Sequence, residues 1–189
     1  QAFAKLGRYV YIEPMIPAEI SPPPRTRPAL SGVIIRLADF DITNIGNNTD
    51  VILAAHEIVL DRRLDDDEYN PRCRVLLDIG DKKGNEESYE RVCKRVAQMG
   101  LSIYPIEMTP EALKIIQSLG GKGKNMYYLG MLAQLYSMPE QTIIDEIKET
   151  FGKKLGEDIL AKNIAIFHQG LQYAKANLHF SYEIKSVPE

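Results

Sequence analysis

The chain has 189 residues, of which 44% are hydrophobic, a size and composition that suit a globular protein with one substantial core. Its net charge of −3 at pH 7 argues against nucleic acid as the main partner, because phosphate backbones require clustered Lys and Arg. No apolar run approaches the roughly 18 residues of a membrane span, so we expect no membrane partner and a cytoplasmic location. The two cysteines, Cys73 and Cys93, form no disulfide framework and no metal-ligand spacing, and we expect both to be reduced thiols.

The first part of the chain predicts two strands separated by a proline-rich loop. Residues 1–7 resemble the end of a helix with a glycine cap, and a short strand is expected at Tyr9–Ile12. Six of the eleven prolines fall within Pro14–Pro28, a density typical of an extended, semi-rigid loop. A second strand is expected at Gly32–Leu37, and the alternation at Phe40–Ile42 predicts a bent continuation or a hairpin.

The middle of the chain predicts a parallel sheet. Val51–Ala55 is a continuous apolar run, which suits a strand buried on both faces. Asp61–Arg72 is charged and lacks apolar periodicity, so no regular element is predicted there. Further strands are expected at Cys73–Asp78 and Leu101–Ile106, and a helix capped by Asn85 connects them. A strand, a helix and a strand within about 35 residues predict parallel strands with a right-handed crossover.

The last third of the chain predicts a helical cluster. A short helix begins at the capping residue Thr109, and three apolar-periodic segments follow over residues 125–178. Glycines stand inside this helical pattern at Gly130 and Gly170, where each costs roughly 1 kcal/mol relative to alanine. We interpret them as positions where a neighbouring backbone packs too close for a side chain.

Together these patterns predict an α/β fold with a mostly parallel, Rossmann-like sheet flanked by helices and a C-terminal helical cluster. We expect a single domain over residues 1–189. The apolar stripes of the helices place Leu113 and Ile159 among the buried side chains, and Asn125 is expected to cap its helix.

Few residues carry the chemistry of a catalytic or metal site. His56 and Glu57 begin a zinc-protease pattern, but Leu60 stands where the second histidine belongs. The acidic run over 65–68 lacks the alternating ligands and the glycine of a calcium loop, which favours a solvated loop. Since no Ser/His/Asp or Cys/His constellation can be assembled, we expect no catalytic residue and no metal ligand in this chain.

Two loops suit an anionic ligand. Lys122, Lys124 and Asn125 stand in a stretch with three glycines before a helix, which combines positive charge with close backbone approach. The alternative for this stretch is a flexible linker between helices. Arg25 and Arg27 stand on the proline-stiffened loop and suit a carboxylate, a phosphate or the acidic groups of a partner. The alternative for these two is a pair of exposed surface arginines.

A wider pattern extends over the helical block and two earlier strands. In the block it comprises Asn125-Met126, Leu129-Gly130, Ile144 to Phe151, Lys154, Asn163 and Gln169-Gly170. Earlier it comprises Ser31-Gly32, the strand Val33 to Leu37, and the strand Asp50 to Ala54. This pattern resembles the gamma subunit, or gamma domain, of the 2-oxoacid:acceptor oxidoreductases, which include the pyruvate, 2-oxoglutarate and 2-oxoisovalerate ferredoxin oxidoreductases.

The resemblance implies that the chain is one part of a larger enzyme. Such enzymes decarboxylate a 2-oxoacid on thiamine diphosphate and Mg, pass electrons through an iron–sulfur cluster to ferredoxin, and release an acyl-CoA. These cofactors belong to alpha-, beta- and delta-type subunits or domains, so we expect none to be bound by this chain alone.

The role that the resemblance implies for the gamma part is assembly, with access for coenzyme A or substrate. The lysines, arginines and asparagine of the two loops are then the candidate contacts of coenzyme A. The family also opens with a strand and a glycine-rich turn, which we expect upstream of Gln1. A stand-alone nucleotide-binding protein and a non-catalytic scaffold are the alternatives.

Overall fold

The computed structural model describes residues 2–16, 31–46, 48–65 and 69–184. Its elements are α1 (Ala2–Lys5), β1 (Tyr9–Met15), β2 (Gly32–Ala38), β3 (Thr49–Ala54), α2 (Glu57–Asp65), β4 (Tyr69–Asp78), α3 (Glu86–Gln98), β5 (Ser102–Ile106), α4 (Pro110–Ser118), α5 (Lys124–Leu135), α6 (Glu140–Phe151) and α7 (Glu157–Asn177). The chain forms two compact units. Unit 1 comprises Gln1–Val10, Leu37–Ile42 and Met108–Glu189, and unit 2 comprises Tyr11–Arg36 and Thr43–Glu107.

Unit 2 contains a parallel sheet with the strand order β3-β4-β5. Ile52 of β3 pairs with Val75 of β4, and Val75 pairs in turn with Ile103 of β5. The α/β class and the parallel strand–helix–strand unit predicted from the sequence are therefore confirmed. The core around this sheet comprises Ile52, Ala54, Leu60, Leu64, Cys73, Val75, Leu77, Tyr89, Val92, Val96 and Leu101.

Helix α3 follows β4 as predicted, but its first turn is not capped in the predicted way. Asn85 precedes the helix without a capping hydrogen bond from its side chain. Its amide instead donates to the backbone carbonyl of Asp81 at 2.9 Å. On the buried side of α3, the hydroxyl of Tyr89 donates to the backbone carbonyl of Asp78 at 3.0 Å, which fastens the helix to the end of β4.

The prediction that Asp61–Arg72 lacks regular structure is wrong. Helix α2 extends into this range from its start at Glu57, and β4 begins within it. Only Leu60 and Leu64 form the apolar side of α2, and both are buried. Two leucines one turn apart are too short a stripe to produce a recognisable helical period in the sequence.

An ion-pair network holds α2 against α3. The guanidinium of Arg95 on α3 lies 2.9 Å from the carboxylate of Asp61 and 2.8 Å from that of Asp65. These ion pairs explain why charged residues that the sequence assigned to no regular element form part of a helix.

Strands β1 and β2 form a separate two-stranded sheet. The predicted helix end is confirmed as α1, which is followed by Gly7 with a left-handed φ of 68°. β1 is longer than predicted and includes Pro14, which the sequence assigned to the proline-rich loop. The remaining prolines of that loop, with Arg25 and Arg27, lie outside the described residues.

The strand or hairpin predicted at Phe40–Ile42 is absent from the described residues of this region. The chain bends after β2, and side-chain hydrogen bonds hold this bend instead of the backbone hydrogen bonds of a strand pair. Arg36 donates to the backbone carbonyl of Asn44 at 3.0 Å and to its side-chain oxygen at 2.8 Å. The same side-chain oxygen accepts from the amide of Gly46 at 3.0 Å, so Asn44 organises the turn.

In unit 1, α5 and α7 cross at two glycines. A Cβ added to Gly130 would collide with the carbonyl oxygen of Phe167 and lie 2.7 Å from the amide nitrogen of Leu171. A Cβ added to Gly170 would collide with the carbonyl oxygen of Tyr127. The prediction that a close backbone explains both mid-helix glycines is confirmed.

Helix α4 begins as predicted, and its cap also contacts α7. The hydroxyl oxygen of Thr109 accepts from the amide of Ala112 at 3.2 Å and donates to the side chain of Gln169 at 2.8 Å. Pro110 occupies the first turn, where its missing N–H costs nothing.

The predicted burial of Leu113 and Ile159 is wrong, because each is 40% exposed. Ile159 lies on the same side of α7 as Gly170, but it stands near the beginning of the helix, about two turns before Ile166, the first buried residue. The buried residues of α4 are Ala112 and Ile116, and those of α7 are Ile166, Phe167, Gly170 and Ala174.

The chain after α7 folds back onto unit 1. The amide of Tyr182 donates to the carbonyl of Leu135 at 2.7 Å, and its ring stacks on that of Tyr136 with centroids 5.3 Å apart. Arg8 donates from Nε to the carbonyl of Ile184 at 2.6 Å. These contacts fasten the end of the described chain to its beginning.

Candidate functional site

The glycine-rich loop between α4 and α5 has a left-handed backbone at three positions. Gly120, Gly121 and Gly123 have φ values of 66°, 81° and 105°, a region that residues with a Cβ rarely adopt. The amide of Gly121 donates to the carbonyl of Ile116 at 2.9 Å and closes the end of α4. The loop is therefore a tight connection that leads directly into α5.

Gly123 lies against α7. A Cβ at this position would lie 2.9 Å from Cδ1 of Ile166 and 3.6 Å from Oδ1 of Asn163. The amide group of Asn163 donates to the carbonyl of Ile159 at 2.8 Å, which leaves its oxygen on the side of the loop. The sequence indicated Asn163 only as part of the family resemblance and missed its position beside the candidate site.

Asn125 does not cap α5, contrary to the prediction. The helix begins at Lys124, with Gly123 in the capping position and no hydrogen bond from a capping side chain. The cap position is therefore Gly123, two residues earlier than expected, and its φ is positive. Asn125 is exposed in the first turn, so it still stands at the N-terminal end of α5.

The charge in the first turn distinguishes α5 from the other helices longer than one turn. Each of α2, α3, α4, α6 and α7 has an acidic residue there, which suits the positive end of a helix dipole. α5 has none, and Lys124 in its first turn and the exposed Lys122 before it add positive charge instead. The arrangement favours a negatively charged group at this terminus.

Of the five predicted contacts, the structure brings together Lys122, Lys124 and Asn125 within four residues of one helix start. Arg25 and Arg27 lie outside the described residues, and their proximity to this loop stays a prediction.

Two buried carboxyl groups lie at the carboxyl edge of the parallel sheet in unit 2. Glu57 is 0% exposed and begins α2 after β3, and Asp78 is 1% exposed and ends β4. The side chain of Asp78 accepts from the amide of Gly80 at 2.7 Å, and Glu57 stands at the positive end of α2. Their position after apolar runs was the available sequence signal.

The described residues contain no group of three or more His, Cys, Asp or Glu side chains that could hold a metal ion. Cys73 is a buried free thiol and Cys93 is a half-buried one. Burial raises the pKa of the Cys73 thiol to about 11, so it stays protonated at neutral pH. An iron–sulfur cluster typically requires four cysteines, and two cysteines in the whole chain do not fit one.

The geometry thus offers a helix terminus whose charge favours an anionic group. The family model described as pyruvate ferredoxin/flavodoxin oxidoreductase matches residues 1–173. The chain belongs to this family. The resemblance found in the sequence is thereby confirmed.

Comparison with two relatives shows what share of each relative's length this chain matches. It is 28% identical over 197 aligned positions to the 2-oxoglutarate oxidoreductase subunit KorA of Mycobacterium tuberculosis, which covers 96% of this chain and 29% of the relative. A 2-oxoglutarate:ferredoxin oxidoreductase from Magnetococcus marinus, solved with 2-oxoglutarate, coenzyme A and succinyl-CoA bound, shares the fold. In that comparison the TM-score is 0.68, the identity 24%, and the coverage 100% of this chain and 29% of the solved chain. The chain therefore spans less than a third of the length of either relative.

Within the described residues, no helix combines the length and the hydrophobicity that crossing a bilayer requires.

Proposed function

We propose that this chain is the gamma-type subunit or domain of a 2-oxoacid:ferredoxin oxidoreductase, with residues 1–189 belonging to one such part. The observation that carries the proposal is the family match over residues 1–173. The coverage of 29% of KorA supports a role beside a larger catalytic portion. That portion is either fused to this chain or a separate subunit.

The proposed enzyme converts a 2-oxoacid and coenzyme A to an acyl-CoA and CO₂ and delivers the electrons to ferredoxin. The relative in Mycobacterium tuberculosis is named for 2-oxoglutarate, which makes that acid the first substrate to test. Alpha-, beta- and delta-type partners would hold thiamine diphosphate, Mg and the iron–sulfur cluster in the cytoplasm. This chain would serve assembly.

We assign the loop before α5 a second role, which is to receive a phosphate of coenzyme A. Lys122, Lys124 and Asn125 would hold it at the positive end of the helix. Asn163, whose side-chain oxygen lies on the loop side of α7, would orient a neighbouring polar group of the ligand. Coenzyme A suits this terminus because its phosphates supply the negative charge that the first turn of α5 lacks.

Purification of the native protein through a tag on this chain tests the function. We expect either large partner subunits or one long polypeptide, with 2-oxoglutarate-dependent and coenzyme A-dependent reduction of ferredoxin. A tagged chain that purifies alone, with no 2-oxoacid oxidation under anaerobic conditions, would overturn the proposal in favour of a stand-alone protein.

The loop is tested in the same native enzyme by replacing Lys122 and Lys124 with alanine together. Since a hydrogen bond to a charged group contributes about 1.5–3 kcal/mol, and about 1.4 kcal/mol corresponds to a ten-fold change, we expect KM for coenzyme A to rise at least ten-fold. KM for the 2-oxoacid should stay unchanged.

The matched control replaces Lys82 and Lys83, two exposed lysines that precede α3. Their helix already has Glu86 and Glu87 in its first turn, so we expect neither KM to change. If the loop variant and the control behave alike, the loop is a connection between helices and the chain a scaffold.

A further inference from the structure

The two-stranded sheet of β1 and β2 exposes an unusual amount of apolar side chain. Ile12 is 54% exposed, Val33 54% and Ile35 50%. All three are β-branched residues on strands, which typically pack against a covering layer. These three residues are called the strand patch below.

The three side chains share one face of the sheet. The sulfur of Met15 lies 3.7 Å from where a Cβ of Gly32 would stand, so Met15 and Gly32 point to the same side. Because side chains alternate along a strand, Ile12, three residues before Met15, points to the other side. Val33 and Ile35 follow Gly32 at odd spacings and also point to that other side. The strand patch is therefore contiguous across both strands.

The strand patch is uncharged, which restricts what can cover it. It consists of aliphatic groups alone, and Pro14 beside Ile12 on the same face of β1 adds no charge. On this face of the described parts of β1 and β2, a phosphate backbone or an acidic peptide would find no cation. Apolar faces of α/β sheets are normally covered by apolar helices, so an apolar helix face matches both the chemistry and the architecture.

We propose that the strand patch is the surface on which an apolar helix of the catalytic portion of the oxidoreductase docks. This rests on the proposed function, since the covering helix would come from the length of the relatives that this chain does not span. The matched relative is aligned over only 29% of its length, which leaves more than two thirds of it to supply that helix. The patch lies within unit 2, well separated in sequence from the anion loop of unit 1.

Hydroxyl-radical footprinting of the intact native enzyme tests the docking surface directly. We expect Ile12, Val33 and Ile35 to be modified at least ten-fold more slowly, after correction for intrinsic reactivity, than Leu113 and Ile159. Those two controls are each 40% exposed and belong to unit 1. If the patch is modified as fast as the controls, the docking proposal is wrong.

A substitution provides the second measurement. Ile35→Lys places a charge in the patch, and we expect a ten-fold or larger loss of the assembled enzyme or of its activity at fixed protein concentration. Ile35→Thr keeps the β-branched shape and should cause a smaller loss, which separates a docking defect from misfolding. Ile159→Lys on α7 is the matched control and should assemble normally.

Three outcomes separate the docking proposal from its alternatives. If the native protein shows no 2-oxoacid oxidation and no larger partner, the proposed function fails together with the docking surface. If activity and assembly are present but Ile35→Lys assembles normally, the docking surface alone fails. If Ile35→Lys disrupts only a dimer of this chain, measured by light scattering, a second copy covers the patch and the helix proposal is overturned.

Discussion

Burial gives the thiol of Cys73 an unusual pH dependence. The side chain is 0% exposed, and its desolvation raises the pKa from an ordinary 9.0 to about 11. In the unfolded chain the thiol ionises near 9, so between pH 9 and 11 the unfolded state binds fewer protons than the folded state. Stability is therefore unaffected by this group below pH 9 and falls as pH rises through that window.

We expect the free energy of unfolding to fall by about 2 kcal/mol more between pH 8 and pH 11 in the native sequence than in Cys73→Ala. Urea denaturation at a series of pH values measures this difference. Cys93→Ala is the comparison: burial also raises the pKa of this thiol, but Cys93 is only half-buried, so we expect its removal to reduce the slope less than Cys73→Ala does. Equal slopes for the native chain and Cys73→Ala would show that the thiol ionises in the folded protein without penalty.

The close crossing of α5 and α7 requires glycine at positions 130 and 170, because any side chain there would collide with the backbone of the facing helix. Gly130→Ala would gain about 1 kcal/mol of helix propensity but would force the backbones of α5 and α7 apart. We expect a net loss of at least about 2 kcal/mol of unfolding free energy for Gly130→Ala and for Gly170→Ala, measured by chemical denaturation.

Gly156→Ala is the matched control for the crossing. It precedes α7 and has no atom within 4 Å of an added Cβ, so we expect a change below about 1 kcal/mol. A stable Gly130→Ala protein would mean that the helices separate at little cost.

The elements that the sequence predicted well are those whose pattern is local. Apolar runs predicted β3, β4 and β5, and Thr109 with its following proline predicted the start of α4. The failures depend on information from elsewhere in the chain. Helix α2 is held by Leu60, Leu64 and an ion pair to Arg95 more than thirty residues away, none of which creates a period. Ile159 is exposed although it lies on the same side of α7 as Gly170, because the buried part of the helix begins only at Ile166, and periodicity alone cannot reveal where that part begins.

At the candidate site the sequence provided the residue types and the structure provided their arrangement. Three glycines and two lysines before a helix predicted an anion loop, and the left-handed backbone at Gly123 explains why Asn125 does not cap the helix. The position of Asn163 beside Gly123 requires the packing of α7 on the loop and could not be predicted from spacing. The charge difference between α5 and the other helices becomes meaningful only when the helix starts are known.

Over the whole molecule, the two compact units predict separable local stabilities. The chain after α7 is fastened within unit 1 through the stacking of Tyr182 on Tyr136 and its backbone hydrogen bond to Leu135. Tyr182→Ala should cost about 1–2 kcal/mol, since an aromatic pair contributes about 0.5–1.5 kcal/mol beyond its buried area. Hydrogen exchange measures where this loss appears. We expect faster exchange in α5 and in the residues after α7, while β3, β4 and β5 of unit 2 keep their protection.

His179→Ala is the control for this measurement. His179 is an exposed neighbour in the same segment, and its replacement should leave the exchange of both units unchanged. Faster exchange throughout the sheet of unit 2 would instead show that the two units unfold as one.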